Sequence, residues 1–262
     1  MQLTSALDAL PDIERRLGSR LPAVFLDYDG TLTPIVARPE QAVLSDEMRA
    51  TVRDLAGLCP VAVVSGRDRR DVESLVDLEL VYAGSHGFDI AGPDGLVKQH
   101  DDAARFLPIL GDAETALRDR LELVPGALVE RKRFSIAVHF RNVAAEDARQ
   151  VEQAVDATLA KQPQLRKNFG KKVFELQPRL DWHKGKAVQW LLEALRLESG
   201  HLPLYIGDDV TDEDAFAALT ESGIGIVVQD EPAPTKAHYV LKDTGEVQAF
   251  LGHLAELLEG RR

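Results

Sequence analysis

The chain has 262 residues and a formal net charge of −12, from 31 Lys and Arg against 43 Asp and Glu. This balance excludes a generally nucleic-acid-binding protein, whose phosphate contacts require a basic surface. Hydrophobic residues make up 45% and charged residues 28%, which is typical of a globular protein and not of a disordered or collagen-like chain. The length predicts one large domain or two small ones.

The sequence predicts neither secretion nor a membrane span. Its single cysteine, Cys59, has no partner for an internal disulfide, and the N-terminus lacks the basic and apolar blocks of a signal peptide. The longest apolar runs, such as residues 23–26 and 61–64, extend over a few residues, whereas a membrane span needs roughly 20. We therefore expect a cytoplasmic protein without membrane contacts, and we interpret these runs as buried strands.

The first third of the chain alternates helical and strand patterns in the order of a parallel sheet with crossover helices. Apolar residues at helical spacing predict helices, and short continuous apolar runs predict strands that are buried on both faces. In chain order these are a helix over 7–17, a strand over 23–26, a helix over 45–58 that Ser45 can cap, a strand over 61–64, a helix around 72–76 and a strand over 80–83.

The pattern changes between residues 101 and 180. A helix around 110–121, a long strand over 134–140, a helix over 151–159 and a strand over 173–176 indicate an inserted α+β unit. This unit contains two segments, 131–141 and 161–172, that hold four and five basic residues and no acidic ones. An anionic ligand bound there and an ordinary solvated face explain this charge equally well.

The alternating pattern returns in the last third, with a helix over 187–195, strands over 204–206, 224–228 and 239–241, a helix before the second of these strands and a closing helix over 247–258. These strands complete one sheet. We therefore predict an α/β fold with a doubly wound, mostly parallel sheet, formed by residues 1–100 and 181–262, and an inserted α/β domain formed by residues 101–180.

Two carboxylates follow the first buried strand, in the string DYDGTL at residues 27–32. Open parallel sheets place their ligand sites at this end of their strands. Asp27 can act as a nucleophile and Asp29 as a general acid and base, provided that a cation offsets their mutual repulsion. A loop with one capping aspartate is the alternative, and it accounts less well for the whole string.

Two further strings suit phosphate. In VVSGR at residues 63–67, the Ser65 hydroxyl and the Gly66 amide can bind a phosphate oxygen, and Arg67 can clamp an anion with two N–H groups; a plain turn is the alternative. In DWHKGK at residues 181–186, Lys184 can neutralise phosphate charge, and Lys186 is the other candidate.

Five acids lie within seven residues in GDDVTDED at residues 207–214, after a predicted strand. Such a group needs a cation, and oxygen ligands without thiolates favour magnesium. An acid-rich helix N-terminus, with Thr211 or Asp212 as the cap, explains residues 212–214 but leaves Asp208 and Asp209 unexplained.

The order of these four strings resembles the haloacid dehalogenase-like phosphohydrolases. The strings FLDYDGTL (25–32), AGSHG (83–87), VHFR (138–141) and GDDVTDE (207–213) narrow the resemblance to trehalose-6-phosphate phosphatases, from about Leu21 to Val228. The resemblance implies a haloacid dehalogenase-like core with an inserted cap domain. It also implies a trehalose 6-phosphate substrate and a functional link to a separate trehalose-phosphate synthase.

The resemblance implies a role for each matching residue. Asp27 would attack phosphorus and form an aspartyl phosphate, and Asp29 would protonate the departing sugar oxygen and then accept a proton from water. Ser65 and Lys184 would hold phosphate oxygens. Asp27, Asp208 and the backbone carbonyl of Asp29 would bind magnesium, with Asp209 and Asp212 nearby.

The cap would recognise the sugar. We expect Glu130 and Lys132 on one strand, and Lys172 and Glu175 on another, to contact sugar hydroxyls, and the alternative for each is an ordinary exposed strand residue. His86, in a glycine-flanked loop, is a further candidate. A phosphatase for another glycosyl phosphate, such as glucosylglycerol phosphate or sucrose phosphate, and a non-catalytic phosphosugar-binding regulator remain alternatives.

Overall fold

A computed structural model describes residues 3–99 and 103–261. Its strands are β1 (Thr4–Ser5), β2 (Leu21–Leu26), β3 (Val61–Val64), β4 (Val81–Gly84), β5 (Asp89–Ala91), β6 (Val97–Gln99), β7 (Leu128–Arg131), β8 (Ile136–His139), β9 (Leu165–Gly170), β10 (Val173–Pro178), β11 (His201–Gly207), β12 (Ile224–Val228) and β13 (Tyr239–Leu241). Its α-helices are α1 (Leu10–Leu17), α2 (Asp46–Ala56), α3 (Arg69–Val76), α4 (Leu107–Leu121), α5 (Ala148–Leu159), α6 (Lys184–Ala194), α7 (Glu213–Leu219) and α8 (Thr244–Glu259).

The chain divides into two compact units. The larger unit comprises Met1–Val97 and Trp182–Arg262, and the smaller unit comprises Lys98–Asp181. The sequence places the boundaries at 100/101 and 180/181, so each boundary differs from the prediction by three residues or fewer. The role of the smaller unit in substrate recognition stays a prediction.

The larger unit is built on a nine-stranded sheet with the order β1-β13-β12-β11-β2-β3-β4-β5-β6. The pairs from β1 to β4 along this order are parallel, and β5 runs antiparallel to β4. The prediction of an α/β fold with a mostly parallel sheet is therefore confirmed.

Helices cover both faces of this sheet, which explains why its central strands are continuous apolar runs. Along β2, Val24 and Leu26 face one hydrophobic cluster, to which α1, α2, α3 and α8 contribute. Ala23 and Phe25 face a second cluster, to which α6 and α7 contribute. Alternate side chains of one strand thus enter opposite layers, as the two-residue period of a strand requires.

The smaller unit contains a four-stranded antiparallel sheet with the order β7-β8-β10-β9. One face packs on α4 and α5 through apolar side chains that include Val138 of β8 and Leu176 of β10. Strand β8 has four residues, whereas the sequence predicts a strand over 134–140. None of the helices in the described part of the chain is long and apolar enough to cross a membrane.

Candidate active site

The motifs of the larger unit meet at the carboxyl edge of its parallel sheet. Asp27 follows β2, Ser65 follows β3 and Asp208 follows β11, and β2 lies between the other two strands. The Asp27 amide donates to the Ile206 carbonyl at 2.9 Å, which extends the β2–β11 ladder to the start of the site. Residues that are far apart in the sequence therefore share one edge of the sheet.

Three buried carboxylates approach one another at this edge. Oxygen atoms of Asp27, Asp208 and Asp212 all lie within 4.8 Å of one another. The Lys184 ammonium lies 3.1 Å from Asp27 Oδ1 and 2.7 Å from Asp212 Oδ1. The donor set of this cluster is all oxygen, which fits a hard cation.

Both carboxylate oxygens of Asp212 accept hydrogen bonds. Oδ1 accepts from Tyr205 Oη at 2.6 Å and from Lys184 Nζ at 2.7 Å, and Oδ2 accepts from the amides of Asp208 and Asp209 at 3.0 and 2.9 Å. A carboxylate has about four acceptor positions, and these bonds fill them. Asp212 therefore positions Lys184 and the 208–209 backbone, and Asp27 and Asp208 are the better metal-ligand candidates.

Burial and charge control the protonation of this group. Burial raises the pKa of the Asp27 carboxyl well above its usual range, and the neighbouring aspartates add to the rise while Lys184 opposes it. For Lys184, burial disfavours the ammonium, but Asp212 and Asp27 outweigh it and raise the pKa. Burial, followed by the charge of Asp212, also raises the pKa of Tyr205 well above its usual value. Lys184 and Tyr205 thus both remain hydrogen-bond donors.

Gly30, in the first motif, is required by its conformation and its surroundings. Its φ is +80°, and a Cβ at this position would collide with the Asp208 carboxylate. This contact shows that the loop after β2 lies directly against the side chain that follows β11. The glycine in the string DYDGTL therefore permits the two acidic motifs to meet.

Asp29 forms a bidentate pair with Arg67. Arg67 Nε and Nη2 lie 2.7 and 2.8 Å from the two oxygens of Asp29. The same guanidinium donates to Asp71 Oδ2 at 3.0 Å and to the Pro39 carbonyl at 2.8 Å. The sequence suggests that Arg67 clamps an anion of the substrate, whereas in the structure the anion that it clamps is Asp29.

Ser65, Gly66 and His86 adjoin one another at the end of β3. The Ser65 carbonyl accepts from the His86 amide at 2.9 Å, and the Ser65 Oγ accepts from the Arg67 amide at 3.1 Å. A Cβ on Gly66 would lie 2.9 Å from His86 Cε1, so only glycine allows the ring this position. His86 is buried and has a φ of +57°. Such a backbone is sparsely populated for residues other than glycine and is concentrated at functional sites.

In the smaller unit, polar side chains occupy the sheet face opposite α4 and α5. Glu175 Oε1 accepts from Lys132 Nζ at 3.2 Å and from Ser135 Oγ at 2.7 Å, and its Oε2 accepts from Gln177 Nε2 at 2.8 Å. Glu130 is in register with Glu175 across β8, which places both on this face. Lys132 lies one residue beyond the end of β7, not within the strand as the sequence predicts.

Two other observations bear on the predicted sugar contacts. Glu130 Oε2 lies 2.7 Å from His139 Nε2, on the same face. Lys172 is not brought to the Glu175 group: it is exposed, has a φ of +67° in the turn between β9 and β10, and its Nζ lies 5.8 Å from the centre of the Phe140 ring.

Several residues of the two groups are absent from the sequence prediction. Tyr205 and Ser135 are within strands or next to them, where apolar patterns hide a single hydroxyl. Gln177 lies just beyond the predicted end of its strand at 176, although β10 continues to Pro178. Asp71 is indistinguishable in the sequence from other exposed acids of α3. Of the two candidate lysines, Lys184 has its Nζ 3.1 Å from Asp27 Oδ1.

The trehalose-phosphatase family model matches residues 25–245. The probable trehalose-phosphate phosphatase 2 of Oryza sativa subsp. japonica is 43% identical over an alignment of 283 residues. This alignment covers 97% of this chain and 73% of that protein. The trehalose-phosphate phosphatase of Mycolicibacterium paratuberculosis (strain ATCC BAA-968 / K-10) is 45% identical over 267 residues, covering 98% and 68%.

A solved structure has the same fold. The C-terminal domain of the C. albicans trehalose-6-phosphate phosphatase superposes with a TM-score of 0.85, at 24% identity and with 98% of each chain covered. The family model extends from the strand before Asp27 to beyond the acidic string at 207–214, so it includes every motif that meets at the carboxyl edge of the sheet. The chain therefore belongs to the trehalose-phosphatase family.

Proposed function

We propose that this protein is a magnesium-dependent phosphatase that hydrolyses trehalose 6-phosphate to trehalose and phosphate. The observation that carries the proposal is the Lys184 ammonium, which lies between Asp27 and Asp212 at the carboxyl edge of the sheet. This arrangement supplies a nucleophilic carboxylate beside a fixed positive charge. Membership in the trehalose-phosphatase family and the names of the relatives support the choice of substrate.

In the first step an oxygen of the Asp27 carboxylate attacks phosphorus. The bond between phosphorus and the sugar oxygen breaks, and its electron pair stays on that oxygen. Protonated Asp29 donates its proton there, so trehalose leaves as a neutral alcohol and Asp29 becomes a carboxylate. The products of this step are the aspartyl phosphate and the free sugar.

In the second step the Asp29 carboxylate accepts a proton from a water molecule as the water oxygen attacks phosphorus. The bond from phosphorus to Asp27 breaks and returns its electrons to the Asp27 carboxylate. Phosphate leaves, and Asp29 is again protonated. Every atom and proton is therefore accounted for by the substrate, one water and two carboxyl groups.

Ser65 and Lys184 stabilise the phosphoryl oxygens. The Ser65 Oγ already accepts a hydrogen bond from the Arg67 amide, so its own hydrogen can be donated to a phosphate oxygen. Lys184 remains an ammonium because two carboxylates surround it. Both groups act where negative charge is spread in the transition state.

Magnesium would be held by the carboxylates of Asp27 and Asp208 and by the backbone carbonyl of Asp29. When bound, the ion supplies positive charge that allows an anionic nucleophile to approach an anionic phosphoryl group. The approach of oxygen atoms of Asp27, Asp208 and Asp212 to within 4.8 Å of one another supports this assignment. Asp212 and Asp209 would shape the site without binding the ion.

The smaller unit would recognise the disaccharide through its polar sheet face. Glu175 and Lys132 offer acceptors and donors that suit sugar hydroxyls, and Glu130 on the same face offers a further acceptor. His86 and Gly66 belong to the larger unit and would contact the substrate from there. Lys172 is the weakest member of the predicted set because it lies apart from Glu175.

We also propose a cytoplasmic location and a link to a separate trehalose-phosphate synthase that supplies the substrate. The single cysteine, which is buried, supports a reducing compartment. The net charge of −12 supports a small-molecule substrate rather than a nucleic acid.

The test is the release of inorganic phosphate from purified protein, with magnesium and with a chelator. The substrates are trehalose 6-phosphate, glucose 6-phosphate, sucrose 6-phosphate and glucosylglycerol phosphate. We expect a magnesium-dependent preference for the first, and Asp27→Asn should abolish turnover because an amide cannot attack phosphorus. Asp119→Asn, at an exposed position of α4, is the control and should retain full activity.

Three outcomes would contradict parts of the proposal. Preference for another sugar phosphate would contradict the proposed substrate but not the proposed reaction mechanism. Substantial turnover by Asp27→Asn would refute the nucleophile. Binding of trehalose 6-phosphate without phosphate release would favour a phosphosugar-binding regulator.

A further inference from the structure

The proposed chemistry requires the Asp29 carboxyl group to stay in one place. It must reach the sugar oxygen in the first step and the attacking water in the second. The Asp29 side chain is 44% exposed, however, and an exposed aspartate ordinarily changes rotamer freely. Something other than packing must therefore restrain it.

Arg67 is anchored independently of Asp29. Its side chain is only 8% exposed, and it donates to Asp71 Oδ2 at 3.0 Å and to the Pro39 carbonyl at 2.8 Å. The centre of its guanidinium lies 5.3 Å from the centroid of the Tyr28 ring. The guanidinium thus has three contacts besides Asp29: a side chain, a backbone carbonyl and an aromatic ring.

The pair with Asp29 has the geometry that fixes a carboxylate best. Arg67 Nε and Nη2 approach different oxygens of Asp29, at 2.7 and 2.8 Å. Two parallel N–H···O bonds fix the plane of the carboxylate as well as its distance, whereas one bond would leave it free to rotate.

Arg67 has little capacity left for a substrate. A guanidinium has five N–H groups, and the bonds to Asp29, Asp71 and Pro39 use four of them. The remaining N–H group is on Nη1, which faces Asp71. A bidentate clamp on a phosphoryl group would therefore require Arg67 to release at least one of Asp29, Asp71 and Pro39.

We propose that Arg67 is a positioning residue that holds Asp29 for acid and base catalysis, and that it does not bind the substrate's phosphoryl group. This inference rests on the proposed function, because it assumes that Asp29 transfers protons. When Asp29 is protonated, its hydroxyl oxygen keeps a lone pair beside those of the carbonyl oxygen, so both oxygens can still accept from Arg67. The carboxyl group therefore keeps its place in both steps.

The leaving group distinguishes the two roles of Arg67. A sugar alkoxide is a poor leaving group and needs a proton from Asp29, whereas p-nitrophenolate leaves without one. The ratio kcat/KM covers steps only as far as the departure of the alcohol or phenol, so the second step does not affect it. A misplaced Asp29 should lower kcat/KM for the sugar phosphate alone.

The experiment compares Arg67→Lys with the wild type on trehalose 6-phosphate and p-nitrophenyl phosphate. Lysine keeps the charge and loses the two-pronged geometry. We expect kcat/KM for the sugar phosphate to fall about a hundredfold, the size of a small misplacement of a catalytic group. For the aryl phosphate, kcat/KM should change by less than about threefold, because little general-acid assistance is lost. Competitive inhibition by inorganic phosphate should be unchanged.

Arg69→Lys is the matched control. Arg69 also lies between two carboxylates, 2.5 Å from Glu73 and 3.4 Å from Asp89, and its side chain is 14% exposed. It has no contact with Asp29 among those found in the structure. This variant should leave the ratio of the two kcat/KM values at the wild-type level.

Asp71→Asn provides a second variant that keeps Arg67 itself. It weakens one anchor of the guanidinium and should produce a smaller loss that is again selective for the sugar phosphate. Should Arg67→Lys fail to fold, this variant alone decides the question.

Equal losses of kcat/KM on both substrates, together with weaker inhibition by phosphate, would overturn the proposal. They would indicate that Arg67 binds the phosphoryl group. No loss on either substrate would also overturn it. Asp29→Asn separates this result from a failure of the proposed function: if that variant retains full sugar-phosphate activity, Asp29 is not the acid and base at all.

Discussion

Lys184 shows how much of the site is decided by single residues. The sequence predicts a lysine beside the aspartates and leaves Lys184 and Lys186 open, because both lie at the start of a helix. The structure places Lys184 in contact with Asp27 and Asp212. The sequence could not predict Tyr205 as a partner of Asp212, since this residue lies within a largely apolar strand, where it fits the buried pattern.

The charge of Asp27 should cost stability when no metal is bound. Burial raises the pKa of this carboxyl in the folded state above its unfolded value. A group with a raised folded pKa contributes stability that is complete below the unfolded pKa, about 4, and is lost as the pH rises. The contribution of Asp27 to the free energy of unfolding is therefore smaller at pH 7 than at low pH.

We expect Asp27→Asn in chelator to have a higher free energy of unfolding than the wild type, because the variant has no buried carboxyl group to ionise. Magnesium should raise the melting temperature of the wild type more than that of the variant. Thermal melts with chelator and with magnesium measure both effects, and Asp119→Asn is the control. A variant less stable than the wild type in chelator would contradict this account of Asp27.

At the scale of elements, the sequence predicts the buried strands well and the polar or short ones poorly. Strands β2 and β3 lie between two layers of helices, so nearly every side chain is apolar and the pattern is plain. The sequence does not predict strand β9, because Arg166, Lys167 and Asn168 at its centre interrupt any apolar pattern. Strands β1, β5 and β6 have two or three residues each, which is too short for a periodic pattern.

The polar face of the smaller sheet is the element that should select the sugar. Glu175 accepts hydrogen bonds from Lys132, Ser135 and Gln177, so its removal leaves buried donors without their acceptor. We expect Glu175→Ala to lower kcat/KM for trehalose 6-phosphate by at least about tenfold, and that for p-nitrophenyl phosphate by less than about threefold, which corresponds to the loss of one or two sugar hydrogen bonds.

Glu152→Ala is a control of the same kind on α5. Glu152 Oε1 lies 3.1 Å from Lys167 Nζ, close to the 3.2 Å between Glu175 and Lys132. Glu152 belongs to α5, which lies on the opposite side of the sheet from the polar face. Its removal should therefore leave kcat/KM unchanged for both substrates. An equal loss on both substrates for Glu175→Ala would exclude Glu175 from sugar recognition.

At the scale of the whole molecule, the sequence indicates two units because the periodicity changes near residues 101 and 180, and the basic segments 131–141 and 161–172 lie between these points. Each unit has its own hydrophobic cluster. The meeting of the motifs at one edge of the larger sheet follows from its parallel strands, since these share their carboxyl ends. The contact of Arg67 with Asp29 does not follow in this way, because it depends on the conformation of two loops rather than on any pattern.

Cys59 and both tryptophans lie in the larger unit, so they report on its unfolding alone. The thiol is buried, lies 3.6 Å from the Leu55 carbonyl, and burial raises its pKa to about 12 from 9.0. At pH 8 the reactive thiolate is therefore about a thousandfold scarcer than in an unfolded chain, before any protection by burial itself.

We expect a disulfide reagent such as Ellman's to label the native protein negligibly on the time scale in which it labels the urea-unfolded protein completely. In a urea titration, the midpoints of thiol labelling and of tryptophan fluorescence should coincide, because both follow the same cooperative unit. Rapid labelling without urea would show that the start of β3 opens independently of the sheet that it belongs to.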